Sequence, residues 1–157
     1  MRLFILAFFL LSHQTISGEI DVEEFYRVFS SGTLTDVNLC IRNLVSAHPT
    51  SQMNAYKGAM LMKKAGFEKA PKAKLNAFKS GHALLEFEIS KTPDNPEFHF
   101  LRLVIEESAP GILKYNRNLQ EDRNCVIKGY NKLEPFLRNR INLYCKHSKV
   151  LTITDLQ

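Results

Sequence analysis

From Ile20 to His147 the apolar residues recur three and four positions apart in run after run, and strand-type alternation is nearly absent. That spacing marks one face of an α-helix, so a chain written this way folds as packed helices. Val22, Phe25, Val28 and Phe29 form the first run, stopped at Ser30-Ser31-Gly32. Thr33 or Thr35 can cap the second, which carries Leu34, Val37, Ile41, Leu44 and Val45 and ends at His48-Pro49. Thr50 and Ser51 are caps for a third, with Met53, Tyr56, Met60 and Leu61, ended at Gly66. The longest run, 71–91, places Leu75, Phe78, His82, Leu85 and Ile89 on one stripe. Asn95 as cap and Pro96 at the first helical position open the next helix, 97–108, which Pro110-Gly111 breaks. Two more helices are predicted over 118–130 and 135–147, and the tail VLTITDLQ suits one short strand or helical turn. The fold class is all-α.

Short connections make consecutive helices antiparallel, so the expected architecture is a set of helical hairpins, stacked as a short array or gathered in an irregular bundle. The segment 72–96 resembles the second helix and closing turn of a tetratricopeptide repeat: Gly81, Leu85 and Ile89 fall four apart, and Pro93 follows. Glu88 stands where that repeat has a second small residue, and no second copy recurs at a fixed period. The resemblance covers 54–108 and implies a stack with a concave binding face. The blocks AYKGAMLMKKAGF, FLRLVIEESAP and NRNLQEDRNCVI resemble those of a family of small exported proteins of Gram-negative bacteria. That resemblance implies an exported, periplasmic α-helical domain and no particular activity.

The start of the chain also suggests export. Arg2, the unbroken apolar stretch LFILAFFLL and the polar segment SHQTISG have the order of a secretory signal peptide over 1–18, too short to span a bilayer. Residues 19–157 are then a single domain. Removing 1–18 takes away Arg2 and no acidic residue, leaving 20 basic against 16 acidic side chains. That mild excess is scattered along polar faces, and in an exported protein it does not point to nucleic acid. Cys40, Cys125 and Cys145 lack metal or redox spacing and sit among apolar neighbours, as small buried side chains do. With a turn near 131–134, Cys145 lies about five residues past the level of Cys125, an offset of roughly 7 Å, so no bond between them is expected.

Hydrolytic motifs are missing: there is no HExxH, no GxSxG and no glycine-rich phosphate loop. His82 with Glu86, or Glu97 with His99, offers two metal ligands without a third, and no cofactor is expected. Glu106-Glu107 and Glu121-Asp122 are adjacent on helices and point about 100° apart, which makes them solvated charges rather than an acid/base dyad. Arg102 differs. It sits in a helix that Phe98, Phe100, Leu101, Leu103, Val104 and Ile105 make apolar nearly all round, where a guanidinium needs a partner. Glu121 and Asp122, opening the next long helix, are the expected partners, and a methionine of similar volume should then replace Arg102 at little cost. Recognition of an anionic ligand is the alternative role for Arg102.

These features lead to a non-catalytic exported module that binds a protein or peptide partner in the cell envelope. A carrier of an apolar small molecule between its helices is the alternative, and a hydrolase comes third. N-terminal sequencing of protein recovered from the periplasm should read from Gly18 or Glu19; an intact Met1 in the membrane fraction would refute the export reading.

Overall fold

Short polar side chains start several of the helices by accepting the backbone N–H groups left free in the first turn. In the computed structural model, which describes residues 20–109, 115 and 117–157, Asp21 Oδ1 accepts from the amides of Glu23 and Glu24 at the head of α1 (Val22–Ser31). Thr33 and Asp36 form a reciprocal capping box on α2 (Leu34–Ser46). Thr50 Oγ1 caps α3 (Ser51–Phe67), and Pro71 takes the first position of α4 (Pro71–Lys91). Asn95 Oδ1 accepts from Glu97 and Phe98 at α5 (Pro96–Ser108). Two shorter helices, α6 (Leu119–Gly129) and α7 (Pro135–Cys145), complete the seven among the described residues, where there is no strand. The tail closes in a single 3-10 turn, Ile153–Leu156, anchored by fully buried Leu151 and by an Arg123–Asp155 ion pair. The signal-like stretch 1–18 and the break at Pro110-Gly111 lie outside the described residues.

Two of the consecutive helix pairs, α3–α4 and α5–α6, run antiparallel in close contact. In α3 and α4, Ser51 lies by Lys91, Asn54 by Glu88 and Gly58 by Gly81. The two glycines bring the backbones into contact, since a Cβ on Gly58 would lie 2.8 Å from the Gly81 carbonyl oxygen and 2.9 Å from the Leu85 amide. Glu88, where the repeat pattern has a small residue, is fully buried and is satisfied by Asn54 Nδ2 and Lys91 Nζ, each at 2.9 Å. The α5–α6 pair runs from Pro96 against Gly129 at one end to Glu106 beside Asn118 at the other. Helix α1 closes the core with stacked rings: Phe25 lies 3.8 Å from Tyr56, centroid to centroid, and Tyr26 packs on Phe100 and Phe136.

Some stripes depart from the sequence reading. On α2 the inward residues are Val37, Cys40 and Leu44, while Leu34 and Val45 face outward. On α4 burial begins at Gly81, and Leu75 is 48% exposed. All three cysteines are free. Burial pushes the Cys40 and Cys145 thiols up to about 11, which makes them unreactive packing residues. Cys125 is only half-buried, its Sγ 3.9 Å from the Pro93 carbonyl oxygen. None of the described helices is long and apolar enough to cross a membrane.

If the glycine contact sets the α3–α4 spacing, Gly81→Ala must push the helices apart, because its Cβ would fall 2.8 Å from the Met62 amide. A loss of about 1–3 kcal/mol in urea unfolding is expected; an unchanged midpoint would show that the hairpin has slack there.

Candidate functional site

Two features gather the polar chemistry: a buried ionic network centred on α5, and an open apolar groove on the other side of that helix. In the network, Arg102 is 3% exposed and every side of its guanidinium is occupied. Nε donates to both oxygens of Asp122 at 3.0 Å, Nη2 to Asp122 Oδ1 at 2.7 Å and to Glu121 Oε1 at 3.0 Å, and Nη1 to Glu86 Oε2 at 2.8 Å. Asp122 is wholly buried and Glu121 is 62% exposed at the side chain, so the two expected partners differ in kind. The first is a buried counter-ion; the second is a surface cover. Glu86, from α4, is a third partner, visible in sequence only as a neighbour of His82, whose Nε2 lies 3.7 Å from Glu86 Oε1.

His99 completes the network. Its Nε2 lies 2.9 Å from the Pro93 carbonyl oxygen and its Nδ1 2.6 Å from Asp122 Oδ1. A carbonyl oxygen can only accept, so Nε2 carries a proton and the ring is held between Pro93 and Asp122. His99, Glu121 and Asp122 bring one ligand atom each within 4.8 Å. A divalent ion there would have to displace the Arg102 guanidinium and break the His99 Nδ1–Asp122 contact, so the donor set is already committed to a cation that the chain supplies. Glu97 and His99, the other pairing considered for a metal, serve different partners: Glu97 Oε1 accepts from the Tyr56 hydroxyl at 2.5 Å and the Tyr26 hydroxyl at 3.1 Å.

The adjacent acids at 106 and 107 are not solvated charges, contrary to the expectation from sequence. Glu106 is 2% exposed, and its two oxygens accept from the backbone N–H and side-chain amide of Asn118, tying the residue that precedes α6 to α5. Burial raises its carboxyl above the ordinary value. Glu107 accepts from the Tyr144 and Ser148 hydroxyls and from the Lys149 amide, so it ties α7 and the tail to α5. These donors hold its carboxyl below the ordinary range despite the opposing effect of burial.

The groove has a main lobe of about 720 Å³ between α1, α3, α5 and α7, floored by Tyr26, Phe29, Phe100 and Val104. A second lobe of about 420 Å³ continues beside the first turns of α4, walled by Leu75 and Phe78. Arg140, Lys146 and His147 from the end of α7, Lys63 from α3 and Lys74 from α4 stand along its edges. Nothing in the spacing of these residues along the chain marks them as a set, since five helices contribute across more than a hundred positions. Leu75, expected in the core, is one of its walls.

Because Asp122 is the deepest member of the network, the structure changes what is expected of Arg102→Met. That substitution leaves a buried carboxylate with His99 as its remaining partner, and it should destabilise rather than be tolerated. Asp122→Ala strands a guanidinium and an imidazole together, and a loss of about 3 kcal/mol or more is expected in denaturant unfolding. A change of under about 1 kcal/mol would mean that the surface carboxylates Glu86 and Glu121 suffice.

The chain matches no family model, no curated protein and no solved structure.

Proposed function

We propose that this protein is an exported, non-catalytic helical module of the cell envelope, periplasmic or secreted, that holds a segment of a protein partner in the groove between α1, α3, α5 and α7. The observation that carries this reading is an apolar groove, walled by several helices, that stays open along its edge. Leu143 at its rim is 43% exposed, and Tyr144 and Arg140 lie beside it. Aromatic and arginine side chains around an apolar floor are the composition of protein-binding surfaces, whereas a carrier encloses its apolar cargo. The absence of a catalytic role is supported by the state of the charged groups: Arg102, Asp122 and His99 are almost wholly buried and spend their polar atoms on one another. Export rests on the signal-like start, and a short hairpin stack on the repeat-like segment 54–108; both fit a domain whose work is to present a surface.

The test is selection of peptides from a displayed random library on protein recovered from the periplasm, followed by binding to Leu143→Ser, a variant of an exposed residue whose melting temperature should match the parent. Peptides that bind the parent and weaken about tenfold on Leu143→Ser support the proposal. Selected peptides indifferent to Leu143→Ser overturn it, as does one-to-one uptake of oleate by a protein that selects no peptide, which is the carrier's behaviour.

A further inference from the structure

The two lobes of the groove share Met62, Lys63, Ile105 and Ser108, so they form one continuous track from the end of α7, across α3 and α5, to the first turns of α4. Its charges are of one sign. Arg140 and Lys146, with the His147 ring beside them, stand at one end, Lys63 at the shared waist and Lys74 at the other end, and among the described residues no Asp or Glu lines either lobe. Among the described residues none of these five side chains is in an ion pair. Two carboxylates stand behind the lining and accept from its hydroxyls: Glu97 receives the Tyr26 hydroxyl, and Glu107 receives those of Tyr144 and Ser148.

This bias is local rather than a consequence of net charge, because the groove beside α1 and α2 is edged by Asp21, Glu24 and Asp36. Lys63 is the most exacting of the five. It is half-buried at the waist, with the Phe67 ring 6.0 Å away, and loss of water lowers its pKa from the ordinary value. An ammonium placed so gains most from an arriving anion.

Resting on the reading of this groove as the seat of a partner segment, we propose that the segment is acidic: a polypeptide stretch that seats an apolar side chain in each lobe and carries Asp or Glu residues between and beside them. The distribution of the bases separates this occupant from a fatty acid or phospholipid. A single-headed amphiphile can meet one end or the waist and leaves the remaining cations unmatched, whereas carboxylates spaced along a chain meet all of them. The lobes supply the anchor pockets, and the bases set direction and exclude basic segments.

The peptides selected on the parent protein provide the test. Their sequences should be enriched in Asp and Glu and depleted in Lys and Arg around two apolar positions. A synthetic selected peptide should bind at least tenfold more weakly when its acids are changed to the amides, and at least tenfold more weakly to Lys146→Glu, an exposed change at the end of α7 that leaves the core untouched. Arg140→Glu should do the same, with melting temperature as the check on its fold. Peptides that depend on Leu143 yet show no acidic enrichment, and bind Lys146→Glu within threefold of the parent, would overturn the acidic proposal while leaving the groove reading intact. Peptides indifferent to Leu143→Ser would remove the groove reading itself.

Discussion

Arg102 and Asp122 leave water together, and the geometry that makes this tolerable fixes where α6 lies on α5. Two oxygens of Asp122 face Nε and Nη2 at 2.7–3.0 Å, and His99 takes the Oδ1 lone pair that remains. Moving α6 by one residue would swing Asp122 about 100° around its axis and leave both ions in an apolar interior. A well-packed apolar pair could bind the helices as tightly, but it would tolerate neighbouring registers far better. The network therefore acts on specificity more than on stability, and its influence extends along the hairpin: Glu106 meets Asn118 one turn further on, and Gly129 admits Pro96 at the opposite end.

The same helix uses its other polar side chains to position the rest of the molecule. Glu97 binds tyrosines of α1 and α3, Arg102 reaches Glu86 on α4, and Glu107 holds Tyr144 of α7 with the backbone beyond it. Eight of the thirteen residues of α5 are buried, so each of these contacts is formed where water competes little. The tyrosine hydroxyls show the effect of this: burial and a neighbouring carboxylate raise Tyr26, Tyr56 and Tyr144 well above the ordinary phenol, which keeps them as neutral donors. Packing of rings supplies most of the cohesion, and the carboxylates choose among the ways in which the rings could pack.

Helix positions were legible because their signals are local. Thr33, Thr50 and Asn95 cap within three residues of themselves, Pro96 fixes a first turn, and 71–91 has the same limits in sequence and structure. Arg102 was legible for a different reason, since a charge in an apolar run demands a partner and the next helix began with two acids. The carboxylates at 88, 97, 106 and 107 were not, because what takes them out of solvent stands far away along the chain: Asn54, Tyr56, Asn118 and Tyr144. Adjacent acids look like a wet surface until tertiary donors are known. The apolar stripes of α2 and α4 show the converse error, where Val45 and Leu75 continue a helical pattern yet remain exposed.

The groove follows from that last circumstance. Leu75 and Phe78 in the first turns of α4 stand beside the last turn of α3 with no further helix over them, and Leu143 of α7 faces outward, so apolar surface is left uncovered along a line among the described residues. Bases of like sign set along such a line repel one another, and among the described residues no acid lines it. Individually an exposed lysine attracts a carboxylate weakly, by well under about 1 kcal/mol. Beside an apolar floor from which a seated side chain has expelled water, the same attraction strengthens as the local dielectric falls. Anchor and charge therefore reinforce each other: an apolar segment without acids leaves the cations desolvated and unpaired, and an acidic segment without anchors leaves the water in place. Discrimination of this kind needs no catalytic group and no movement of the core, only a rim of one sign on helices that the buried network of α5 holds in place.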